Sequence, residues 1–209
     1  MLVKTELQKQ IACLGLRAPG HYPLCYDVHM NVLILHGIMG SAGAHWGQWL
    51  HDELTKKSYV VVMPTLSNSD HPARNTWLAE ISGIMRDLGG DTVIVAHSLG
   101  VTSSLDYLEQ ASQPIKGLVS VSGFSDDYGL ELNSYFLKEK SVDFSRVNKN
   151  VGKAVVFYGD DDPYVPQESL RLLADNLEVK PVILPNGGHL NTAAGFAEFP
   201  QLLDAVLSI

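Results

Sequence analysis

Thr92-Val93-Ile94-Val95-Ala96-His97-Ser98-Leu99-Gly100 is an apolar, β-branched run that breaks at a polar pair and passes directly into a segment of helical periodicity. A continuous apolar run of this length reads as a strand buried on both faces, the habit of parallel sheets. Similar runs lie on either side of it: Val32 to Leu35, Tyr59 to Met63, Gly117 to Val121, Ala154 to Tyr158 and Val182 to Leu184.

Between these runs the periodicity changes to that of helices. Trp46, Trp49, Leu50 and Leu54 share one face. Trp77, Ile81, Ile84, Met85 and Leu88 share another, in a helix that Asn75 is placed to cap and Gly89-Gly90 to end. Further helices are expected over 99–110, 167–177 and 196–208. Strands alternating with helices imply an α/β architecture: an open, mostly parallel six-stranded sheet with helices on both faces.

Two segments fall outside that rhythm. Residues 1–29, broken by Pro19-Gly20 and Pro23, read as an N-terminal extension outside the core, leaving 30–209 as one domain. Residues 124–152 are polar, carry Tyr135-Phe136-Leu137 in a short helical patch, and read as a small cap or surface insertion.

Composition narrows the function. The chain has 209 residues, 45% hydrophobic and 18% charged, enough for one buried core. A formal net charge of −8 with no basic cluster argues against nucleic acid. No run is long enough to span a membrane, and Lys4, Glu6, Lys9 and Arg17 interrupt any secretory signal. Cys13 and Cys25 both precede the first strand and cannot staple the core, which fits a reducing cytoplasm.

The strand–Ser98–helix passage has the form of a nucleophile elbow, with the small residues Ala96 and Gly100 two places before and after the serine. A serine hydroxyl is a weak nucleophile and needs an imidazole to take its proton, held in turn by a carboxylate. In a chain of this type the acid and base should follow the serine in that order. After the fifth strand comes Gly159-Asp160-Asp161-Asp162-Pro163-Tyr164-Val165-Pro166, and after the sixth Pro185-Asn186-Gly187-Gly188-His189. Asp162 is the candidate acid, three residues before Val165-Pro166; Asp160 and Asp161 read as a solvated turn. His189 is the candidate base. A calcium-loop reading of the aspartates lacks the glycine and distal glutamate it needs. After the first strand, His36-Gly37-Ile38 supplies a loop whose Ile38 amide, with that of Leu99, is placed to hold an oxyanion.

With these motifs, together with His45-Trp46, Val121-Ser122-Gly123-Phe124 and Gly187-Gly188-His189, the chain resembles the small serine hydrolases of the α/β-hydrolase fold, specifically the retinoblastoma-binding-protein-9 and YdeN-like family. The likeness runs from about Met30 to the C-terminus. It implies a minimal hydrolase core with Ser98, Asp162 and His189 at the catalytic positions and no cofactor. Leu24-Cys25-Tyr26-Asp27 lacks the Leu-x-Cys-x-Glu spacing, so no retinoblastoma-protein partner is carried over. The expected activity is cleavage of a small or medium acyl ester from a small-molecule substrate. Thioester, amide or acyl-transfer chemistry on the same residues, or a weakly active binding protein, are the alternatives. Met39, Trp46, Phe124, Tyr164 and Leu190 are open to two readings, pocket lining or core.

Overall fold

Residues 30–209 are described in a computed structural model of the chain; the expected extension over 1–29, with both cysteines, lies outside the described residues. Six strands, β1 (Asn31–Leu35), β2 (Val60–Val62), β3 (Thr92–His97), β4 (Ile115–Val121), β5 (Val151–Gly159) and β6 (Val182–Leu184), form one sheet in the order β2-β1-β3-β4-β5-β6. Every pairing is parallel. The helices are α1 (Gly47–Lys56), α2 (Arg74–Leu88), α3 (Leu99–Gln110), α4 (Glu131–Leu137), α5 (Phe144–Asn150), α6 (Gln167–Asn176) and α7 (Pro200–Leu207). No helix among the described residues is long and apolar enough to cross a membrane.

Strand alternation divides the core in two. Val32, Ile34, Val93, Val95, Val119 and Val121 face α1 and α7, burying Trp46, Leu50, Leu54, Leu202 and Val206. Leu33, Leu35, Ile94, Ala96 and Leu118 face the opposite way, against Trp77 and Ile81 of α2, Leu105 of α3 and Leu170 of α6. Side chains of successive strand residues point to opposite faces, so both faces must be apolar where both are covered. The sheet edge departs from this: in β6, Val182 and Ile183 are exposed.

Two helix starts differ from the sequence reading. Helix α2 begins at Arg74, after Ala73, and Asn75 does not cap it. The guanidinium of Arg74 is buried and makes a two-pronged contact with Asp106 of α3, Nε to Oδ2 at 2.7 Å and Nη2 to Oδ1 at 2.9 Å. Its Nη1 donates to the carbonyls of Phe136, Leu137 and Lys140. It thereby satisfies the orphan carbonyls at the end of α4 and ties the segment between β4 and β5 to α3. Helix α7 begins at Pro200, later than residue 196, because Phe199 at φ −142° and ψ 77° is outside the helical region, with proline then opening the helix.

The sheet order places the site. From β1 the chain runs outward to β2, then returns to the other side of β1 to form β3, so the loops leaving β1 and β3 diverge at their C-terminal ends. That divergence opens a crevice in sheets of this kind. The register pairs Leu35 with Ala96 across it, bringing Gly37 beside Ser98. At the far side, Gly159 pairs with Leu184, so the aspartate loop and the His189 loop leave the sheet together.

Candidate active site

Ser98 occupies the turn from β3 into α3 at φ 53° and ψ −127°, a conformation a non-glycine residue adopts only where its surroundings enforce it. The enforcement is visible. Its N–H donates to the Val121 carbonyl at 2.9 Å, and its carbonyl accepts from Val101 at 3.0 Å. A Cβ on Gly100 would sit 2.4 Å from the His36 carbonyl oxygen, and one on Gly37 would sit 2.8 Å from the Ser98 Cβ. Both glycines are therefore required by close approach, which is why small residues flank the serine.

Asp162 and His189, 27 residues apart, meet. His189 Nδ1–H donates to Asp162 Oδ2 at 2.8 Å, and the carboxylate side chain is fully buried. The other oxygen, Oδ1, accepts from the backbone N–H groups of Tyr164 at 2.9 Å and Val165 at 3.1 Å. The imidazole lies between two rings, with the edge of Tyr164 at 5.2 Å and His97 at 4.8 Å between centroids. Ser98 and His189 line one cavity. Among the described residues Ser98 Oγ has no hydrogen-bond partner.

Three features that hold this arrangement were not legible in the sequence. His97 Nε2–H donates to the backbone carbonyl of His189 at 2.9 Å, fastening the His189 loop to the residue next to Ser98. Asp160 Oδ1 accepts from Asn186 N–H at 2.8 Å and Asp161 Oδ1 from Gly188 N–H at 2.7 Å. The turn is exposed as expected, yet its carboxylates brace the His189 loop from below. The third feature is His36, which is buried. Leu66 N–H can only donate, so its 2.9 Å contact makes Nε2 an acceptor and puts the proton on Nδ1, which donates to the Gly37 carbonyl at 2.7 Å. Gly40 N–H also binds that carbonyl, at 3.1 Å. Because a trans peptide sets C=O and N–H on opposite sides, drawing the Gly37 carbonyl into the loop turns the Ile38 N–H outward. Neither Ile38 N–H nor Leu99 N–H donates to an acceptor among the described residues, and Leu99 opens a helix, where backbone N–H groups attract negative charge.

Of the five residues open to two readings, Met39 and Tyr164 line the cavity, whereas Trp46, Phe124 and Leu190 are buried packing. Burial is also the main force on three histidines, His36, His45 and His97, of which His36 and His97 are buried. It pushes His36 below the ordinary value of 6.5, and His97 well below it, with the neighbouring His189 adding to the second effect. Between those depressed values and 6.5 the unfolded chain binds protons that the folded chain does not, so stability increases with pH through this window. The unfolding free energy from urea titrations is accordingly expected to fall as pH drops from 7.5 to 5.5, by up to about 1.4 kcal/mol per pH unit for each of His36 and His97. An unchanged unfolding free energy would show that neither of these two rings is held neutral.

Residues 32–208 match the family of serine hydrolases. The chain is 28% identical to YdeN of Bacillus subtilis (strain 168) over 181 residues, covering 85% of this chain and 95% of that one. It is 26% identical to the serine hydrolase RBBP9 of Rattus norvegicus over 121 residues, 56% of this chain and 61% of that one. The crystal structure of the ydeN gene product from B. subtilis superposes with a TM-score of 0.79 at 27% identity, over 85% of this chain and 97% of that chain. Est1E from Butyrivibrio proteoclasticus, at 17% identity and a TM-score of 0.66 over 85% and 87% of the two chains, shares the fold. With an all-parallel sheet, a strained serine between β3 and α3 and a match spanning nearly every described residue, the chain belongs to the serine hydrolases of the YdeN and RBBP9 type, on the α/β-hydrolase fold.

Proposed function

We propose that the protein is an esterase-like hydrolase in which Ser98 is the nucleophile, His189 the general base and Asp162 the acid that orients it. The observation that carries this reading is the 2.8 Å bond from His189 Nδ1–H to Asp162 Oδ2 at the edge of a cavity that Ser98 also lines. With the proton on Nδ1, Nε2 keeps its lone pair and can take the hydroxyl proton as Ser98 Oγ attacks the ester carbonyl carbon. The carbonyl oxygen becomes an oxyanion facing the unpaired Ile38 and Leu99 N–H groups, which gain most where charge develops. Collapse expels the alcohol, protonated by His189, and leaves Ser98 acylated. Water, deprotonated by His189, then attacks the acyl carbon, and the carboxylic acid leaves as Ser98 recovers its proton.

The test is covalent. A fluorophosphonate reagent is expected to add once per chain, on the peptide containing Ser98, and to abolish hydrolysis of p-nitrophenyl butyrate in proportion to labelling. A folded protein that takes up no reagent and cleaves no ester, thioester or amide would leave binding without turnover as its role. Turnover of thioesters or amides in place of esters would move the bond class while keeping the residues.

A further inference from the structure

Resting on that reading, we propose that the site selects uncharged substrates, with an apolar acyl chain held at its mouth by Met39, Leu132 and Tyr164. The cavity beside Ser98 and His189 measures about 310 Å³, near the lower end of small-molecule sites, and among the described residues no Lys or Arg lines it. The carboxylate nearest to it is that of Asp162, bonded to the cavity-lining His189, and the chain as a whole carries a formal charge of −8. A carboxylate on the acyl chain would lose water on entry and find no cation in exchange.

The mouth is apolar by construction. Of the seven large hydrophobic side chains exposed among the described residues, three stand here: Met39 at 71%, Tyr164 at 57% and Leu132 at 43%. They come from separate segments, the loop after β1, the loop after β5 and helix α4, so the grouping is not a by-product of one amphipathic element. Exposed apolar side chains that gather at a cavity mark a binding surface. Met39 adds a second observation. It sits at φ 58°, which a long side chain rarely adopts, with its N–H donating to the Ser69 carbonyl at 2.6 Å. The backbone is thus held in a disfavoured state that leaves a flexible thioether uncovered, where it can adapt to chains of different shape.

The wall carrying Leu132 is anchored. Arg74 grips the carbonyls at the end of α4 while bound to Asp106 on α3, the helix that begins at Ser98, and Phe136 of α4 is fully buried. Leu132 therefore keeps its place relative to the nucleophile and acts on specificity as a fixed contact.

The experiment compares p-nitrophenyl hexanoate with the mono-p-nitrophenyl ester of adipic acid, which has the same chain length and a terminal carboxylate. Active sites are counted by fluorophosphonate labelling of the full chain. Wild type is expected to prefer the hexanoate by at least about 100-fold in kcat/KM, chiefly through KM. Leu132→Lys should narrow that ratio tenfold or more by recovering the anionic ester, whereas Leu132→Gln should weaken the hexanoate without recovering the adipate. Equal rates on the two esters with Ser98 labelled, or a ratio unmoved by Leu132→Lys, overturn the selectivity alone. A folded protein that is unlabelled and cleaves neither ester overturns the hydrolase assignment of these residues as well.

Discussion

Asp162→Asn is expected to lower kcat by about 10⁴-fold while leaving the protein folded. The size of the effect follows from the two oxygens having different partners. Oδ1 accepts from the N–H groups of Tyr164 and Val165, which can only donate. An asparagine at this position must therefore keep its carbonyl oxygen there, which forces its NH₂ toward His189 Nδ1. The imidazole can meet an NH₂ only by accepting, so its proton moves to Nε2. The nitrogen meant to receive the serine proton is then occupied. The substitution is nearly isosteric and preserves both backbone bonds, so the melting temperature should change by only a few degrees. The measurement is kcat on p-nitrophenyl butyrate beside a thermal melt. Activity within tenfold of wild type in a folded Asp162→Asn protein would show that another group orients His189.

His36→Ala comes second in expected magnitude, at about 10²-fold in kcat/KM with little change in KM, since in the proposed mechanism His36 positions the Ile38 peptide and touches no substrate. Its loss frees the Gly37 carbonyl from Nδ1–H and leaves Leu66 N–H without an acceptor, so the Ile38 peptide is no longer held facing outward. The affected interaction belongs to the oxyanion and not to the ground-state ester. The inhibition constant of a trifluoromethyl ketone should therefore rise in step with the fall in kcat/KM. His36→Asn retains a donor at the Nδ1 position and should recover part of the loss. A merely structural role predicts instead that the number of labelled sites falls while the surviving sites keep wild-type kcat, and that outcome would dismiss the positioning role.

The parts of the fold legible in the sequence are those set by short-range pattern. The run from Thr92 followed by helical spacing over 99–110 matches β3 and α3 because the apolar run, the break at His97-Ser98 and the change to helical periodicity all lie in one continuous stretch of chain. The start of α2 is not legible in local sequence because Arg74, its first residue, is held by the buried contact with Asp106, 32 residues away, against which one side-chain cap at Asn75 counts for little. Exposure of β6 is hidden for a related reason: a Val-Ile-Leu run looks the same at an edge as in the centre, and only strand order distinguishes them.

For the site, the sequence by itself determined the inventory and its order: a serine after the third strand, an acid after the fifth, a histidine after the sixth, each at a C-terminal strand end where a parallel sheet gathers its loops. Tertiary structure alone decided how those groups are held. His97 fastens the backbone of His189 from 92 residues away, Asp161 braces Gly188 from 27, and His36 sets the Ile38 peptide through Leu66, 30 residues on. It alone also decided which apolar side chains stay uncovered at the cavity mouth. The physical reason is range: periodicity and turn chemistry record what a residue's chain neighbours require, whereas a hydrogen bond between loops exists only once the register of the sheet has brought them together.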